Sequence, residues 1–80
     1  MPLLFFGKDP ETNGDHSPTV WFDAEKGEFV FQGWKADEEL QAECLKTGAI
    51  PDHEAVVRLP VRMAQMIREA LDAAERAPVR

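Results

Sequence analysis

The groups in this chain that could do chemistry are few and scattered. His16 follows Asp15, and His53 sits between Asp52 and Glu54. If the loops carrying them meet, imidazole beside carboxylate would serve a small ligand or metal, or acid–base work in an enzyme. Their spacing fits no known metal-ligand pattern. Asp9-Pro10-Glu11-Thr12-Asn13-Gly14-Asp15 puts oxygens at alternate positions and glycine sixth, as the start of a calcium loop does. The twelfth position, which calls for a bidentate glutamate, is Val20. Cys44 is the single cysteine. Beside either histidine it would be a nucleophile, but it falls on the apolar stripe of a helix, where a free thiol packs as a small hydrophobe. No glycine-rich loop leads from a strand into a helix to cradle phosphate. The reading is of a non-enzyme that needs no cofactor and no metal.

What remains is aromatic. Thr19 to Lys35 reads as a hairpin, two β-rich runs about Ala24-Glu25-Lys26-Gly27, with Gly27 able to take the positive φ of the turn. A four-residue loop pairs Asp23 with Glu28, Phe22 with Phe29, Trp21 with Val30 and Val20 with Phe31. It collects Val20, Phe22, Phe29 and Phe31 on one face. A three-residue loop would mix the faces. The other face then carries Trp21, Val30 and Trp34 beside Asp23, Glu28 and Gln32. Two indoles away from the core face forgo roughly 2–3 kcal/mol of burial each unless something covers them. The cover is either the chain's own Asp37–Thr47 helix, whose apolar stripe is narrow, or another molecule. We expect Trp21, Val30 and Trp34 to bind a second copy of the chain or another partner, with Arg58, Arg62 and Arg68 as a steering rim.

The elements around the hairpin follow from pattern. Leu3-Leu4-Phe5-Phe6 closes at Gly7 as a short buried strand. Lys8 to Pro18 is a polar loop and the most mobile stretch. Asp37 to Thr47 is a helix capped by Asp37 and ended by Gly48, with a narrow stripe of Leu40, Cys44 and Leu45. Ala55 to Leu59 is a fourth strand. Val61 to Ala77 is the strongest helix, with Met63, Ile67, Ala70, Leu71 and Ala74 on one side. The order β-β-β-α-β-α predicts one α+β domain over residues 1–80. Its single mixed four-stranded sheet would carry the C-terminal helix across one face, the fourth strand reached by a parallel crossover.

The chain has 80 residues, a net charge of −6 and an isoelectric point near 4.7. That acidity argues against a nucleic-acid surface. Its charge is uneven: residues 36–57 hold six acids against Lys46, and residues 58–80 hold five arginines against Glu69, Asp72 and Glu75. The two stretches suit one another, or the second suits an acidic partner. Val56-Val57-Arg58-Leu59-Pro60 before a helix is similar to the opening of a ribbon-helix-helix DNA binder, but no second helix follows. A lone cysteine points to a reducing compartment, and Met1–Phe6 lacks the basic flank of a signal peptide. The expectation is a cytoplasmic protein with no membrane contact.

Met1-Pro2-Leu3-Leu4-Phe5-Phe6-Gly7-Lys8-Asp9-Pro10, Ser17-Pro18-Thr19-Val20-Trp21, Phe31-Gln32-Gly33-Trp34-Lys35 and Arg58-Leu59-Pro60-Val61-Arg62-Met63 together resemble a group of short actinobacterial proteins commonly encoded near helix-turn-helix regulators. The resemblance implies a regulatory accessory role, with a transcription regulator as partner. It carries over no catalytic residue.

Overall fold

The computed structural model describes residues 3–11 and 17–76. Its architecture is α+β. Strands β1 (Leu3–Lys8), β2 (Thr19–Asp23) and β3 (Glu28–Gln32) form an antiparallel sheet in that order, and β4 (Trp34–Lys35) pairs with β5 (Val57–Arg58) in a second sheet. Helix α1 (Glu38–Leu45) lies between β4 and β5. A 3-10 turn, Val61–Met63, leads into α2 (Ala64–Arg76).

The hairpin has the expected register, from Val20 opposite Phe31 to Asp23 opposite Glu28. Gly27 takes φ 68° in the turn. The like-charged Asp23/Glu28 pair is tolerated because the Asp23 carboxylate is turned to backbone, accepting from the Glu25 and Lys26 N–H groups at 3.0 Å each. On the other side of β2, β1 pairs Leu4 with Phe22 and Phe5 with Trp21. A bulge at Phe6 then shifts the register, so that Gly7 meets Val20.

The single four-stranded sheet is not what forms. The third run breaks at Gly33 into β3 and β4. The expected fourth strand shrinks to Val57–Arg58 and pairs antiparallel with β4 (Trp34 opposite Arg58, Lys35 opposite Val57) instead of joining the main sheet by a parallel crossover. Close approach at Gly33 is the reason. A Cβ there would stand 2.5 Å from the Arg58 carbonyl oxygen, so only glycine lets the returning strand come in so tightly. Ala36 N–H extends the contact by one bond to the Val56 carbonyl, and Pro60 follows soon after.

The helices keep their places. Asp37 caps α1, its carboxylate accepting from the Leu40 N–H at 2.9 Å. The C-terminal helix begins with the 3-10 turn, and residue 77, where it was expected to end, lies outside the described residues. Its apolar stripe packs on β1 and β2. Val20, Met63 and Ala70 form the buried apolar cluster, with Phe6, Leu59, Met66 and Ile67 packed against it, and Phe22 is buried as well.

A second tie joins the helix to the sheet. Arg62 grips Asp9 bidentately, Nε to Oδ1 and Nη2 to Oδ2, both at 2.6 Å. The Asp9 side chain is wholly buried, while that of Arg62 is 38% exposed. Asp9 also accepts from the Glu11 N–H, and its own N–H donates to the Pro18 carbonyl. Of the stretch expected as a loop, Lys8 belongs to β1 and Asp9, Ser17 and Pro18 are buried, while residues 12–16 lie outside the described residues.

Candidate docking surface

Cross-strand partners in an antiparallel sheet share a face, and alternate residues change face. The register therefore assigns two rows, Leu4–Phe22–Phe29 and Gly7–Val20–Phe31, to the side on which α2 lies. The row Phe5–Trp21–Val30 belongs to the opposite side. It runs between the polar rows Lys8–Thr19–Gln32 and Leu3–Asp23–Glu28, the latter apolar only at Leu3.

Neither side is fully covered. A helix is about 10 Å wide and strands lie about 4.8 Å apart, so one helix roofs about two strands. Helix α2 roofs β1 and β2, and leaves Phe29 and Phe31 of β3 at 42% and 41% exposure. Their rings stack at 6.3 Å and 12°, and Phe29 also tilts against Phe22 at 5.6 Å. On the far side Phe5 is 59% exposed, and Trp21 and Val30 are half-buried. Helix α1 does not act as a lid. None of its residues is buried, Leu45 is largely exposed, and it forms no layer on the three-stranded sheet.

The expected site residues are only partly brought together. Trp21 and Val30 are direct cross-strand neighbours. Trp34, 42% exposed, stands in the second sheet opposite Arg58. Arg58 lines a cleft of about 410 Å³ with Asp37, Glu39 and Glu43, so the acidic stretch and the arginine stretch meet within the chain at this point. Arg62 is committed to Asp9. That carboxylate, through the hydrogen bond first and its charge besides, holds the guanidinium above the ordinary arginine value, against the smaller opposing effect of desolvation. Arg68 donates to the Gln65 side chain at 2.6 Å on the exposed side of α2. The three arginines thus serve three different contacts.

The chemical candidates do not converge. His53 is well exposed and sees only Glu54, at 3.8 Å. His16, with Asn13, Gly14 and Asp15 of the calcium-like segment, lies outside the described residues. Asp9, first in that segment, is bound to Arg62, and Val20, twelfth, is core. Among the described residues no three His, Cys, Asp or Glu side chains gather as a metal site would require. Cys44 is half-buried in α1.

The residues missed from sequence are Phe5, Phe29 and Phe31. Phe29 and Phe31 were expected in the core because they share its face. The missing signal was width: one helical stripe cannot roof three strands. A second groove, about 450 Å³, opens where β3 ends, with Phe31, Gln32, Gly33, Lys35 and Glu54 on its walls. No helix among the described residues is long and apolar enough to cross a membrane. Compared with protein-family models, curated proteins and solved structures, the chain matches none of them.

Proposed function

We propose that this chain is a small cytoplasmic protein-interaction module that works as a homodimer and modulates a transcription regulator. The observation that carries the reading is the incomplete roofing of the three-stranded sheet. Phe29 and Phe31 on one side of it and Phe5, Trp21 and Val30 on the other stay in contact with water. A chain whose described residues bury so few apolar side chains has little stability in reserve. Docking of the unroofed surface would remove apolar area from water on both copies. The likeness to proteins encoded beside helix-turn-helix regulators makes such a regulator the second partner we assign. Arg58 in β5 and Arg68 within α2 would steer that encounter more than tighten it.

Dilution tests the homodimer. The chain has no tyrosine, so its near-ultraviolet emission reports on Trp21 and Trp34. Emission and light scattering recorded together should show a red shift as the mass halves, and Trp21→Ala should move that transition to higher concentration with far-ultraviolet dichroism unchanged. A chain of monomer mass at every concentration, with constant emission, would overturn the reading.

A further inference from the structure

We propose that the outer edge of β3 is the seam of the homodimer, pairing antiparallel with β3 of a second copy about a two-fold axis through Val30. This rests on the homodimer reading and says where its interface lies. The main sheet has two edges, and they are not alike. β1 is blunted as exposed edges commonly are, by the bulge at Phe6 and by a lysine at its end. β3 has neither bulge, proline nor lysine. Its ladder to β2 is regular over all five residues, and no described residue pairs with its other side.

The strand is also self-complementary. With the axis at Val30, Val30 faces its own copy, Phe29 faces Phe31 and Glu28 faces Gln32, so no like charges meet. Moving the axis to Phe29 sets Val30 against Glu28 and Phe31 against Gly27. Moving it to Phe31 sets Val30 against Gln32 and Phe29 against Gly33. Only the central register joins the four half-exposed phenylalanines into one stack on the α2 side. Extending it past Gln32 carries the second copy's turn, with Glu25 and Lys26, toward the groove that holds Lys35 and Glu54, a match of opposite charges.

The pairing would also lengthen the apolar row on the other side without covering it. Two three-stranded sheets become one of six strands, and the row Phe5–Trp21–Val30 runs on into Val30–Trp21–Phe5 of the second copy. That is an apolar band about 24 Å long at about 4.8 Å per strand. Two strands of five residues make an interface at the small end of the range, under about 1,200 Å², of the kind that separates on dilution.

The test uses the full chain with Cys44→Ser as background. Residues directly opposite in an antiparallel pair bring their Cβ atoms to about 5 Å, within disulfide reach, whereas Phe29 and its own copy are offset by two residues, one on each strand. Under mild oxidation Val30→Cys should therefore cross-link into a covalent dimer and Phe29→Cys should not. Val30→Lys and Val30→Asp should each weaken the dimer, on the order of a hundredfold for like charges juxtaposed at the axis, and an equimolar mixture of the two should regain it. A dimer that persists in both charged variants, with no cross-link at Val30→Cys, would place the interface elsewhere and leave the homodimer reading standing. A native chain that is monomeric at all concentrations would remove both.

Discussion

Met63→Ala probes the joint on which the whole arrangement rests. Met63 is the largest wholly buried side chain among the described residues, and it packs with Val20 of β2 and Ala70 of α2. It ends the 3-10 turn, with its N–H donating to the Pro60 carbonyl, so it sits where the helix is first pressed onto the sheet. Truncating a buried methionine costs about 2–5 kcal/mol, transfer and cavity together. With no exposure and neighbours on both layers, about 3 kcal/mol is the value to expect here. An 80-residue domain has roughly 4–12 kcal/mol in total, so a quarter or more of it goes. Each kcal/mol moves Tm by about 4–8 °C in a domain this size, which puts the expected fall at about 12–24 °C. The matched control is Val61→Ala, two residues earlier in the same turn and 90% exposed, which should stay within about 0.5 kcal/mol of the parent. Calorimetry and urea unfolding followed at 222 nm would measure both. If Met63→Ala lowers Tm by less than about 4 °C, or no more than Val61→Ala does, then Met63 does not seat α2 on β2 and the surface that α2 leaves uncovered lies elsewhere.

Asp9→Ala removes a buried carboxylate that accepts from Arg62 and the Glu11 N–H, and should cost on the order of 1–3 kcal/mol in urea unfolding. The raised Arg62 value adds a pH prediction. A cation stabilised in the fold contributes fully below its unfolded-state value and is lost only as pH rises through the still higher folded one. Urea midpoints should therefore show no Arg62-dependent fall between about pH 7 and 9. Gly33→Ala drives a methyl into the Arg58 carbonyl, so β4 and β5 must separate at a cost of about 1–3 kcal/mol, with Trp34 emission shifting before the unfolding transition. Asp37→Ala deletes the cap of α1, worth about 1 kcal/mol locally. Amide exchange should quicken in Glu38–Leu45 while the transition of the sheet stays put, because α1 has no buried residue.

Local chemistry made much of this fold legible before any coordinates. Alternation and a glycine-ended turn were enough for the hairpin register, because a slip of one residue would have turned Phe22 and Val20 out of the core. Asp37 announced the start of α1, and Met63, Ile67 and Ala70 at helical spacing announced the side on which α2 packs. The break at Gly33 is not legible in the Thr19–Lys35 run, because nothing in its neighbourhood says that another strand's carbonyl will stand against it; that fact belongs to Arg58, 25 residues further on. Arg62 and Asp9 were likewise read apart, one as a rim charge and the other as part of a loop. Their union depends on how α2 is laid across the sheet.

The candidate surface divides along the same line. Alternation along the strand alone sets Trp21 and Val30 on the side away from the core, since side-chain direction in a strand is a property of the backbone. Exposure is not. Phe29 and Phe31 point the same way as Val20, yet they stay half in water because a single helix spans two strands and no other described element forms a layer over the third. How wide a roof is, and where it stops, is a relation between elements distant in the chain, and it emerges only when they pack.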